Sequence, residues 1–99
     1  MLYAVLFTDN ADHGDVRQRL MPAHLDFLEP HGEHIRAAGP LLETEGRSAG
    51  GLWLVEADSP QAVMHLVQAD PFWPTGLRQT VRVLQWAQVF SEGHRAPRP

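Results

Sequence analysis

The stretch LWLVEADSPQAVMHLVQADP, Leu52 to Pro71, carries the change of period that decides the fold. Leu52 to Glu56 is a short apolar run, too short for a stable helix, and reads as a strand. Ser59-Pro60 then supplies a helix start: an N-cap, followed by proline at the first helical position, where a missing donor costs nothing. Val63, Leu66 and Val67 recur at three- and four-residue spacing, so a helix runs to about Ala69 with that stripe turned inward. Asp70-Pro71 ends it, because a residue before proline is driven out of the helical region.

The flanking segments extend the pattern in both directions. Upstream, Glu43 to Gly51 has the charges, Ser48 and glycines of a long hairpin loop. Ile35 to Leu42 reads as a strand, with Gly39-Pro40 as a bend or edge feature. Asp15 to about His31 reads as a helix, its apolar positions including Leu20, Leu25, Phe27 and Leu28. Pro22 is awkward inside it, so either the regular helix begins near Met21 or it is kinked there. Leu2 to Phe7 is a continuous apolar run and a buried strand. Downstream, Val81 to Phe90 is a closing strand. The tail SEGHRAPRP has nothing to bury and is expected to be flexible or merely draped. One domain over residues 1–90 and a tail over 91–99 follow.

The order β-α-β-β-α-β is a split βαβ, ferredoxin-like plan. It belongs to the α+β class, with two helices on one face of a four-stranded antiparallel sheet. In the first strand Leu2, Ala4 and Leu6 point one way and Tyr3, Val5 and Phe7 the other; Trp53 and Val55 likewise oppose Leu52 and Leu54. Both faces are apolar, yet two helices cover only one. An uncovered apolar face marks an interface, so a homodimer packed sheet against sheet is expected.

Composition narrows the function. Ninety-nine residues suffice for one modest core. A net charge of −4 lacks the basic footprint that nucleic-acid binding needs. Absence of cysteine excludes a disulfide framework, a thiolate nucleophile and Cys-ligated zinc. The opening MLYAVLF has no basic n-region and is too short for a signal peptide or a spanning helix, so no membrane partner and a cytoplasmic location are expected.

Two ionisable residues interrupt apolar stripes. Leu20, His24, Phe27, Leu28 and His31 share one helical face, which places His24 toward the sheet. A core histidine with one satisfied hydrogen bond fits that position, and so does an acid/base group. Asp70 continues the Val63, Leu66, Val67 stripe at the helix C-terminus, where the dipole disfavours an anion by about 0.3–1 kcal/mol. It is either a rim aspartate turning outward or an inward carboxylate, and the inward choice needs a partner. A His-Asp pair answers both observations, since a carboxylate orients an imidazole and stabilises its protonated form. Phe72 and Trp73 then form either an apolar wall for a flat ligand or a plug under the Pro71–Pro74 turn.

Ser48, in its Gly-flanked loop, is a further ligand-contact candidate. His31 and His34, with Glu33 nearby, invite a metal reading, but Gly32 breaks the helix that would align them, and no metal is expected. Arg17, Arg19, Arg78 and Arg82 are scattered and read as solvated charges.

MLYAVLF, PAHLDFL, AGPL, the Gly-rich turn and ADPFWPTGL together resemble the YciI-like (YCII-related) proteins, from Met1 to about Phe90. The resemblance implies a dimeric α/β barrel and an active site on a His-Asp pair, which falls on His24 of PAHL and Asp70 of ADPF. Relatives often carry arginine three residues before the histidine; this chain has Met21. A relative that eliminates chloride from a hydroxylated ring implies acid/base chemistry without a cofactor. The expected function is therefore a lyase or isomerase acting on a small molecule. A non-catalytic ligand-binding or accessory dimer and a cofactor-free oxygenase are the alternatives.

Overall fold

The computed structural model describes residues 1–96. In chain order its main elements are β1 (Leu2–Asp9), α1 (Gly14–Leu28), β2 (Ile35–Leu42), β3 (Ser48–Glu56), α2 (Pro60–Ala69) and β4 (Arg78–Gln85). Two-residue strands β5 (Phe90–Ser91) and β6 (His94–Arg95) follow. The first four strands form one antiparallel sheet in the order β2-β3-β1-β4. This is the ferredoxin-like arrangement expected from the element order, with β1 and β3 central.

Alternation sorts the two sheet faces. Tyr3, Val5 and Phe7 of β1 and Trp53 and Val55 of β3 are buried against Val63 and Val67 of α2. Fully burying a side chain of this kind contributes about 1.5–3 kcal/mol, so these residues dominate the stability of the layer. On the opposite face Leu2, Ala4, Leu6, Leu52 and Leu54 are only half-buried, and Leu84 is 40% exposed. Ser59 caps α2 by accepting a bond from the Ala62 N–H at 3.1 Å, a contact typically worth about 1 kcal/mol. Among the described residues no helix is long and apolar enough to cross a membrane.

Several boundaries differ from expectation for identifiable reasons. The helix α1 starts at Gly14, not near Met21, and runs through Pro22 to Leu28, with a 3-10 turn at Glu29–His31. Proline removes the bond to the carbonyl four residues back, that of Gln18. Gln18 and Pro22 are both exposed, so water can serve that carbonyl. The strand β3 begins at Ser48, inside the expected loop. Gly50 lies there at φ 106°, and a Cβ on it would collide with the Phe7 carbonyl oxygen. The glycine is thus a strand residue under close backbone approach. The strand β2 matches its expected range, with register shifts on either side of its Pro40 segment, as an edge strand allows.

β4 spans Arg78–Gln85 rather than Val81 to Phe90. Beyond it, β5 and β6 pair across Glu92 and Gly93, both at positive φ, the geometry of a two-residue primed turn. The expected structureless tail therefore meets a short hairpin as far as Arg95; residues 97–99 lie outside the described residues. Val89 and Phe90 stay 81% and 61% exposed, so little burial holds this hairpin.

Candidate active site

Asp70 closes α2 as its C-cap at φ −67°, ψ 135°, the extended conformation that Pro71 imposes. Its Oδ1 accepts the Phe72 N–H at 3.1 Å, an Asx turn, and its carbonyl accepts the Trp73 N–H at 2.9 Å. Thr75 Oγ1 then donates to the Phe72 carbonyl at 2.7 Å and accepts from the Leu77 N–H at 3.1 Å. Gly76 supplies the left-handed residue, φ 80°, that turns the chain into β4. The segment after α2 is thus a hydrogen-bonded turn whose geometry aims the carboxylate inward, and Asp70 is 1% exposed.

From α1, His24 comes to meet it. Its Nδ1 lies 2.9 Å from Asp70 Oδ1, and the histidine is 5% exposed. An ionised carboxylate can only accept, so Nδ1 carries the hydrogen, and in the neutral imidazole Nε2 then presents a lone pair. The Phe72 ring stacks on the imidazole at 4.3 Å and 22°, fixing its plane. Both residues are turned inward, and Phe72 is the ring stacked on the imidazole.

A third charged residue completes the group. Arg78 Nη1 lies 2.9 Å from Asp70 Oδ2, with side-chain exposures of 3% and 0%. The contact is a close ion pair without hydrogen-bond alignment, since Asp70 Oδ2 and Arg78 Nε and Nη1 are buried without an aligned partner. The guanidinium also lies over the Phe7 ring, 4.0 Å from its centre, and 5.1 Å from that of Trp53. Burial pushes the Asp70 carboxyl up, but the His24 hydrogen bond, the Arg78 charge and the Phe72 amide outweigh it. The carboxyl is held below its ordinary value. Burial pulls the Arg78 guanidinium down, against the raising effect of Asp70.

The solvated reading of Arg78 is therefore wrong, and a strand irregularity explains why. Val81 and Val83 pair with Phe7 and Val5 on the helix-covered face, so simple alternation puts residue 79 there next. The register shifts between Thr8 and Asp9, and Asp9 pairs with Arg78 instead. One extra residue in β4 carries Arg78 onto the inner face. Arg17 is also misread as free: its Nε and Nη2 bind the Asp9 carboxylate at 2.9–3.2 Å, with side chains 18% and 16% exposed. Arg19 and Arg82 are exposed.

His24, Arg78 and Arg17 border a cleft of about 130 Å³ between α1 and the sheet, while Asp70 and Phe72 are not among its lining residues. Arg17, Met21, His24 and Leu25 line it from α1, Ala38 to Pro40 from β2, and Phe7, Gly51, Trp53 and Arg78 from the other strands. A larger concavity of about 490 Å³ lies where Met1, Glu33, His34 and His65 meet. It shares no lining residue with the smaller cleft and includes neither His24 nor Asp70, so the smaller cleft is the candidate site.

Trp73 stands in the 3-10 turn, 37% exposed, and is not among the residues lining the cleft. Ser48 is exposed at the start of β3, and its Oγ accepts from the Gly50 N–H at 3.4 Å. Neither is brought to the His24–Asp70 pair. His31 and His34 point their Nδ1 atoms at different carbonyls, those of Phe27 and Glu56.

Comparison with known proteins agrees with this architecture. The YCII-related domain model matches residues 1–87. Protein YciI of Escherichia coli O6:H1 and that of Shigella flexneri are each 30% identical over 98 residues, covering 91% of this chain and all of the relative. The solved structure of 5-chloro-2-hydroxyhydroquinone dehydrochlorinase (TftG) from Burkholderia phenoliruptrix AC1100, in complex with 2,5-dihydroxybenzoquinone, is similar with a TM-score of 0.78. Sequence identity there is 30%, over 89% of this chain and 95% of that one.

Proposed function

Because the chain belongs to the YCII-related family and sets a buried His-Asp pair at the wall of a small cleft, we propose that it is a small-molecule enzyme of lyase or isomerase type. The observation that carries this reading is the 2.9 Å contact between His24 Nδ1 and Asp70 Oδ1 beside that cleft. His24 Nε2 takes a proton from a hydroxyl or an activated carbon of the substrate, while Asp70 stabilises the imidazolium that forms. The released electron pair moves into the conjugated system of the substrate. Either a leaving group departs from a neighbouring carbon, or Nε2 returns the proton at another atom. The pair handles the proton in both directions, so the proposed chemistry needs no cofactor. A relative of similar fold that acts on a chlorinated hydroxyhydroquinone supports a hydroxylated ring as the substrate class.

The active form proposed is a homodimer joined through the half-buried sheet face of Leu6, Leu52 and Leu54. That face is continuous and lies opposite both helices.

A panel of hydroxylated quinones and chlorinated hydroquinones tests the proposal. Turnover should be found and should fall about 10²–10⁴-fold in His24→Ala, the usual contribution of a positioned acid/base, with circular dichroism unchanged. Equal turnover in a folded His24→Ala protein would sink the acid/base role. Binding of the panel without turnover would favour a ligand-binding protein instead.

A further inference from the structure

We propose that Arg78 is the anchor for a small planar anion, so that the cleft selects ionised one-ring molecules, carboxylates or enolates, over their neutral counterparts. The inference rests on the reading of the cleft as the substrate site and adds the charge of what enters it.

A guanidinium has five N–H donors and can be neutralised by nothing in a protein. That of Arg78 is buried to 3% exposure, yet among the described residues Asp70 Oδ2 is its one ion-pair partner, and Nε and Nη1 have no aligned acceptor. Leaving donors of a buried charge unmade is costly, and native structures rarely tolerate it without a ligand or water to accept them. The side chain cannot swing away to find acceptors, because Phe7 lies against its face and Trp53 and Phe72 lie close by. It nevertheless lines the same cleft as His24. Nε and Nη1 are sealed, and Nη1 faces Asp70; Nη2 is not among the sealed atoms and has no hydrogen bond to the described residues, so it is the donor left for an acceptor in the cleft.

Three features say that the acceptor is an anion on a flat body. Arg17 lines the cleft as well, and its Nη1 is not used in the Asp9 contact. Two guanidinium groups thus border a space of about 130 Å³, and their planar forks match the two oxygens of a carboxylate or an enolate. Asp70 is shared, Oδ1 with His24 and Oδ2 with Arg78, so one carboxylate faces the donors of both and does not answer all those of the guanidinium. The cleft is also narrow, between Trp53 and Phe7 on the sheet and Met21 on α1, and suits a single ring.

The test is binding, which needs no turnover, so it can fail while the acid/base role of His24 stands, and the reverse. Isothermal titration calorimetry would compare benzoate and 2,5-dihydroxybenzoquinone with benzamide as the uncharged isostere. Wild type should bind the two acids and prefer benzoate over benzamide by at least about tenfold, as a charge-assisted bond gives. Arg78→Gln should erase that preference, and Arg78→Lys should keep part of it. Where Arg78→Gln does not fold, the double variant Arg78→Gln/Asp70→Asn removes both buried charges, and wild-type NMR keeps the question open to refutation. In wild type, the Arg78 Nε–H resonance should shift on titration with benzoate and not with benzamide. Equal affinity for benzoate and benzamide, an unmoved Arg78 resonance, no binding of either acid at millimolar concentration, or a preference intact in Arg78→Gln would each overturn the proposal.

Discussion

Replacing Asp70 by Asn keeps the size of the side chain and leaves an oxygen able to accept from Phe72 and His24. What it removes is the charge opposite Arg78, 2.9 Å away with both side chains 3% exposed or less. At the surface such a pair would be worth about 0–1 kcal/mol. Here the loss is that of stranding a buried guanidinium, typically about 3–5 kcal/mol. Against a total of about 5–15 kcal/mol for a domain, that is a large share of its stability. Urea unfolding at one fixed protein concentration should show the midpoint falling with the slope unchanged. Arg78→Met should be similarly damaging, since it strands the carboxylate. The double variant has neither charge, so it should be more stable than the two single losses predict, by at least about 1 kcal/mol. Additivity within about 0.5 kcal/mol, or single losses of the surface size, would refute the coupled pair.

Three other outcomes follow from the same structure. The Asp70 carboxyl is held below its ordinary value, so its contribution is complete above the unfolded value of about 3.9 and is lost as pH falls through the folded one. The stability gap between wild type and Asp70→Asn should narrow below about pH 4; a gap that widens there contradicts the assignment. Leu54→Lys places a charge in the half-buried sheet face and should convert a dimer to monomer in analytical ultracentrifugation at micromolar concentration. A wild-type chain that sediments as a monomer there would end the sheet-to-sheet proposal. Deleting residues 91–99 should change the melting midpoint by less than the roughly 4–8 °C that 1 kcal/mol represents for this size, because Val89 and Phe90 are already exposed.

His24 and Asp70 were legible in the amino-acid order because each breaks a helical stripe, and helical periodicity carries side-chain direction over a whole element. The doubly apolar β1 was legible for the same reason, with a period of two, and the ferredoxin-like plan followed from the succession of elements along the chain. Arg78 was not. Its direction depends on an irregularity opposite Asp9, and alternation counted back from Val83 and Val81 passes over it. Arg17 looked solvated because its partner, Asp9, lies on β1 and meets α1 only in the folded chain. Gly50 looked like loop punctuation, although a Cβ there would collide with the Phe7 carbonyl oxygen, so its role is to let β3 approach β1. Phe72 and Trp73 are adjacent and chemically alike; the Asx turn at Asp70, not composition, decides which of them meets the imidazole.

The extra residue in β4 makes the identity of the inner side chain a matter of counting and not only of spelling. Arg78 and Gln79 compete for one inward position, and the register opposite Thr8 and Asp9 awards it to the arginine. A register without the bulge, in which Gln79 pairs with Asp9, would exchange a cation for an amide in the wall of the cleft with every letter kept, whereas deleting Gln79 would keep the arginine inward by plain alternation. The charge of that wall therefore depends on the register of an outer strand, a dependence that inventories of substituted site residues would pass over.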